Sequence, residues 1–165
     1  SDTIEKFIPP KKGKTHILRI IRELIEFQPK NSKTNISEAL RYLTNVIKKR
    51  SICFVISDFI DKPFEDALKL SNKKHDVVAL RIYDQREHEM PDVGLIDLVD
   101  AESGKKMTVD TSHTNFRIGY KKMWERRERE LAECFARSGV DAAKIRTDES
   151  YVQPLMKLFK KRGKK

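Results

Sequence analysis

The sequence predicts an α/β domain built on a mostly parallel sheet with an inserted β-hairpin, and three observations carry that prediction. The short apolar runs Ser51–Phe59 and Val77–Tyr83 each end at an acid, Asp58 and Asp84. Runs of this length, rich in β-branched residues, read as strands buried on both faces of a parallel sheet. Helical periodicity surrounds and separates them, so strand, helix and strand alternate as in a right-handed crossover. Finally, Gly94–Asp100 and Lys106–Asp110 flank Ala101-Glu102-Ser103-Gly104, the pattern of a hairpin with a short turn.

Taken in order, the start Ser1–Ile8 is read, over its second half, as an edge strand that Pro9-Pro10 ends. Thr15 is placed to cap a helix carrying Ile17, Leu18, Ile20, Ile21, Leu24 and Ile25, which ends near Pro29. After a polar loop at 30–35, Ser37 is placed to cap a second helix with Ala39, Leu40, Leu43, Val46 and Ile47 on one face. Its carboxyl end meets Lys48-Lys49-Arg50, where the helix dipole favours cations. Beyond the first buried strand, Asp61-Lys62-Pro63 marks the start of a helix holding Leu68 and Leu70, with Asp61 as its cap. His75-Asp76 opens the second buried strand. After the hairpin, a long helix is expected from Thr114 to Arg137, with Gly139 as its stop. Ala142–Ile145 follows as a third strand and Tyr151–Phe159 as a closing helix.

At 165 residues, 38% hydrophobic and 36% charged, the chain is expected to form one domain with a heavily charged surface. No apolar run approaches the roughly 20 residues that cross a bilayer, and the expected location is the cytoplasm. Cys53 and Cys134 fit reduced structural thiols. The net charge of +10 is concentrated at the two ends, and residues 157–165 form a basic tail with six cations and no acid. Such ends can hold phosphates, but stacking aromatics are scarce among them, which argues against nucleic acid as the partner.

Candidate chemistry centres on Asp58. In open parallel sheets, ligands gather at the carboxyl ends of strands. Thr34 lies in the loop that precedes the helix feeding this strand, so its hydroxyl and the Asp58 carboxylate form an oxygen pair suited to a hard cation. Asp84 and Asp148, at neighbouring strand ends, extend an acidic rim. The bland reading of each aspartate is that it caps a helix or binds loop amides. His16, His75, His88 and His113 lie on different elements, without zinc-ligand spacing. Trp124, with Tyr120 and Met123, reads as core, and Glu125–Glu130 as a solvated stripe of paired charges.

Several stretches together resemble the domain-of-unknown-function family numbered fifty-eight: Ser1–Gly13, His16–Leu24, Ser57-Asp58-Phe59, His75-Asp76-Val77, Leu95–Thr111 with Asp100-Ala101-Glu102-Ser103-Gly104, and Thr147-Asp148. The resemblance spans essentially the whole chain. It implies a von Willebrand factor A-like, Rossmann-type three-layer sandwich that is truncated at its amino end. In that fold a metal-ion-dependent adhesion site combines an Asp-x-Ser-x-Ser loop, a threonine and an aspartate. The resemblance assigns Thr34 and Asp58 to the last two roles, with Mg²⁺ or Mn²⁺ as the cation in the intact parent. The chain has no Asp-x-Ser-x-Ser sequence, and Lys33 stands where the family usually has glycine. The site is therefore expected to be incomplete here, with no cofactor held by residues 1–165 alone.

By the same resemblance the expected function is a non-enzymatic protein-interaction module of a bacterial protein, working with a MoxR-type AAA+ ATPase. An edge-strand dimer is a further expected partnership, through the sheet edge that missing strands would leave open. Two other classes compete. One is a basic nucleic-acid-binding domain. The other is a phosphoryl-transfer enzyme using Asp58, although Ile60 stands where a phosphatase-type second acid would be needed.

Overall fold

The computed structural model describes residues 3–163 apart from Asn31, Ser32, Lys62 and 100–103. Its elements run α1 (Lys14–Glu26), α2 (Ile36–Val46), β1 (Ile52–Ser57), α3 (Glu65–Lys74), β2 (Asp76–Tyr83), α4 (Gln85–His88), β3 (Leu95–Val99), β4 (Lys106–Asp110), α5 (Thr114–Arg137), β5 (Asp141–Arg146) and α6 (Val152–Arg162). The sheet has the order β1-β2-β5 and is parallel throughout, with Val55 beside Ala79 and Ala79 beside Ala142. β3 and β4 form a separate antiparallel hairpin, as the sequence predicts; its expected turn at 100–103 lies outside the described residues.

Strand pleat divides the core into two layers. On one face Cys53, Val55, Val77 and Ala79 pack with Ile36 and Leu40 of α2, Ala67 and Leu68 of α3, and Phe135 of α5. On the other, Val78, Leu80, Ala143 and Ile145 pack with Leu155 and Leu158 of α6. Helices thus cover both faces of a mostly parallel sheet, the α/β architecture expected from the alternation of elements. Asn72 locks one corner: its Nδ2 donates to the carbonyls of Ser138 (3.1 Å) and Gly139 (2.9 Å), while its Oδ1 accepts from Val77 N (3.1 Å). Gly139 takes φ +65 there, a left-handed value that lets α5 turn directly into β5.

The structure corrects several expectations. β1 is not buried on both faces; it is the sheet edge, with Ile52 and Ile56 each 65% exposed and Phe54 46% exposed. Of the edge strand expected within Ser1–Ile8, the described residues 3–8 form none, and residues 1–2 lie outside the described residues; Phe7 meets the Tyr42 ring edge-on at 5.7 Å, and Glu5 accepts from Lys30 N at 2.8 Å. Helix starts shift because the available caps differ from those predicted. Gly13, not Thr15, precedes α1, and Asn35, not Ser37, caps α2 by accepting from Glu38 N at 2.9 Å. Asp61 does not cap α3, whose N-cap is Phe64. Leu70 points outward, and Ala67, Leu68 and Ser71 form the inward stripe of α3. The basic segment at 157–165 is helical through Arg162, which reaches back to Asp76 and to Asp141 (3.3 Å). Among the described residues, no helix is long and apolar enough to cross a membrane.

Candidate functional site

The carboxyl end of β1 turns sharply, and its own side chains make the turn. Ser57 Oγ accepts from Phe59 N at 3.0 Å, and Asp58 Oδ1 accepts from Ile60 N at 3.1 Å. These local bonds give the backbone an alternative to the sheet ladder, so the strand stops. Phe59 adopts φ +56, uncommon for an aromatic residue. Its ring is held there by Phe64 at 5.7 Å and by Phe135 edge-on at 5.1 Å. Burial of three aromatic side chains offsets the backbone strain.

The Thr34 loop is tied to this turn. Asp61 Oδ2 accepts from Ile36 N at 2.6 Å, a charge-assisted bond that fixes the start of α2 beside the end of β1. Thr34 and Ser57 consequently line one groove, together with Ala39, Leu43, Phe54 and Ile56. Thr34 is half-buried and Asp58 is exposed. Thr34 thus shares a groove with Ser57, the residue before Asp58, and Asp61, read only as a helix cap, is the group that joins the two segments.

The other two rim candidates form a separate constellation. Asp84 caps α4 through Arg86 N at 2.8 Å and accepts from Thr147 Oγ1 at 3.2 Å. These bonds, the amide first, hold its carboxyl below the usual aspartate range. Asp148 is exposed and pairs with Arg146 at 2.5 Å. Thr147 N bonds Tyr83 O at 3.0 Å, so the β5 loop is fastened to the end of β2.

The donors on hand do not by themselves make a cation cage. Among the described residues, no three His, Cys, Asp or Glu side chains gather to hold a metal. The Asp58 oxygen named above is already engaged by a backbone amide, and Asp61 is committed to Ile36. A buried cation also lies nearby: Arg81 pairs in register with Ser57, and the Asp58 charge acts on its guanidinium. That positive charge opposes a divalent ion unless further anionic ligands outweigh it.

Sequence reading missed the cluster around Arg81. Arg81 is only 2% exposed and pairs with Glu128 of α5, which also pairs with Lys144 of β5. Glu128 belongs to the stripe read as solvated, but it turns inward. His88 lies between the rings of Tyr83 (4.9 Å) and Trp124 (5.1 Å), stacked on both, and its Nε2 is 3.8 Å from Glu128. Burial, and then the Arg81 charge, push the His88 imidazole down from its ordinary value. Burial likewise lowers Arg81 and Lys144. A signal was present, since an arginine within an apolar strand requires a buried partner.

Sheet, helices and hairpin define the class: an α/β domain with a parallel three-stranded core and an added antiparallel arm. The family described as "Protein of unknown function DUF58" matches residues 1–130, and the chain belongs to that family. The uncharacterized protein MAV169 of Mycobacterium avium is 25% identical over 137 residues, covering 81% of this chain and 79% of that protein. The uncharacterized protein Rv1480 of Mycobacterium tuberculosis is 23% identical over 160 residues, covering 94% of this chain. The chain spans 50% of the length of that relative. Among solved structures, the conserved hypothetical protein BatB from Bacteroides thetaiotaomicron is similar with a TM-score of 0.44 and 20% identity, over 92% of this chain and 68% of that one.

Proposed function

We propose that this chain is part of a non-enzymatic protein-recognition module whose contact face is the carboxyl-end rim of the sheet around Thr34, Ser57 and Asp58. The observation that carries the reading is the Asp61–Ile36 tether, which holds the Thr34 loop and the Asp58 turn in one fixed arrangement. Preorganised loops on a rigid sheet suit recognition because little ordering cost remains on binding. The cysteines favour no catalytic alternative: burial, the largest cause for each, raises both the Cys53 and Cys134 thiols, which disfavours the nucleophilic thiolate.

The partner we propose is a MoxR-type AAA+ ATPase, and this rests on the family resemblance. Mg²⁺ or Mn²⁺ takes part only if the longer parent adds ligands to Thr34 and Asp58, with Asp84 and Asp148 as rim charges. Calorimetric titration of both ions into this chain and into a version extended upstream, each beside Asp58→Ala, tests the metal part. Binding by the extended protein alone, abolished by the substitution, is the expected result. Heat-silent titrations of both proteins would remove the metal from the proposal and leave direct protein contact, measured as Asp58→Ala-sensitive binding to the ATPase.

A further inference from the structure

A cavity of about 290 Å³ lies between α5 and β5, on the sheet face that carries Arg81. Its existence follows from small residues. Ala132 and Ala136 on the helix, and Ala142 on the strand, leave space that larger side chains would fill. Leu131, Phe135 and Val140 supply apolar walls. The charges are graded with depth: Lys144 and Lys161 have side chains 55% and 70% exposed, Glu128 is 15% exposed, and Arg81 is buried.

Arg81 is the residue that calls for a ligand. Its guanidinium offers five donors in a fixed fork, and Glu128 engages it at one terminal nitrogen. Arg81 Nε, buried on the same side chain, has no acceptor among the described residues. A buried donor without an acceptor is costly, and native proteins satisfy such groups with protein, water or a bound ligand. Glu128 is shared between Arg81 and Lys144, the Glu87 and Asp58 charges also act on Arg81, and Lys161 is turned toward Asp141 at 3.7 Å.

We propose that this cavity binds a small carboxylate with a short apolar tail, the carboxylate accepting from Arg81 and the tail lying against Leu131, Phe135 and Val140. The exposed lysines draw the anion to the mouth, and the apolar walls reward a tail that bare inorganic anions lack. The volume stands at the low end of the roughly 300–1,000 Å³ range of ligand pockets, which limits the occupant to a small molecule. Arg81 lies beside the strand-end rim, in register with Ser57, but the inference does not rest on the function proposed for that rim.

Hexanoate serves as the probe, titrated into the protein and followed by amide NMR, with hexanol and inorganic phosphate as the tail-only and anion-only arms. Saturable hexanoate shifts centred on 131–144, with neither control matching them, are expected. Lys144→Met should weaken hexanoate about tenfold. Ala136→Leu, which fills the cavity from an exposed helix position, should abolish binding while the rest of the spectrum stays native. The proposal is overturned by the absence of saturation with hexanoate, by hexanol or phosphate binding equally well, or by unchanged binding in a folded Ala136→Leu protein.

Discussion

β1 and β2 are near-equals in composition and opposites in position. Both are short, apolar and rich in β-branched residues, and both end at an aspartate. β2 is paired on each side and covered on each face, so Val77, Val78 and Ala79 are buried; among the described residues β1 has one neighbour, and it shows three large apolar side chains to solvent. The contrast teaches that an apolar run specifies a strand but not its rank in the sheet. Rank is set by which other strands pair with it, and that is non-local information.

The contrast can be broken outright by moving one charge between the two strands. Val78→Asp places a carboxylate in the fully buried apolar layer under α6, and we expect loss of the folded state by far-UV circular dichroism and size exclusion. Ile56→Asp puts the same group on the exposed edge. Its cost should stay within about 0.5 kcal/mol, measured by urea denaturation. Equal destabilisation of the two variants would show that the β1 face is covered in solution.

A finer difference lies in how each strand handles its polar groups. At the end of β1, Ser57 and Asp58 bond backbone amides, whereas at the end of β2, Arg81 is answered by a side chain from α5. Removing Arg81 leaves the half-buried Glu128 with the more exposed Lys144 as its partner, so Arg81→Met should cost about 3 kcal/mol. Adding Glu128→Leu to it should recover most of that loss, because a well-packed apolar pair avoids the desolvation of both charges. A double-mutant cycle by chemical denaturation measures the coupling. Strictly additive losses would show that Arg81 and Glu128 do not depend on each other.

What was legible in the sequence follows the same division. Periodicity located α5, β2 and the hairpin strands at or within a residue of their observed limits, because their patterns are long or sharply bounded. It placed Thr34 in the loop before α2 and Asp58 at the end of β1, two segments that the Asp61–Ile36 bond joins. It misplaced the caps at Gly13 and Asn35, where several polar residues compete and only the observed backbone selects one. It could not see Asp61 bonding Ile36, nor Glu128 turning toward Arg81, since both contacts join residues far apart in the chain. The pleat of β2 offered the one usable hint: Arg81 follows Val77 and Ala79 on the same face, and a cation in that series demands an acid from whatever packs above it.

The smallest expected effect concerns an ion pair that resembles Arg81–Glu128 in chemistry but lies at the surface. Glu65 of α3 meets Arg137 of α5 at 2.8 Å and Lys69 at 2.6 Å. The Arg137 bond, then the Lys69 bond, pull its carboxyl down to about 2 from an ordinary 4.5. Because the folded value lies below the unfolded one, the stabilisation is fully present above pH 4.5 and is lost as pH falls toward about 2. Glu65→Gln should therefore be less stable than the parent at pH 7 and equal to it near pH 2, with the gap narrowing as salt screens the exposed charges. Thermal melts across that range decide the matter. A gap that persists unchanged to pH 2 would mean that Glu65 acts through packing, and that the outer pair, unlike the inner one, contributes nothing as a pair of charges.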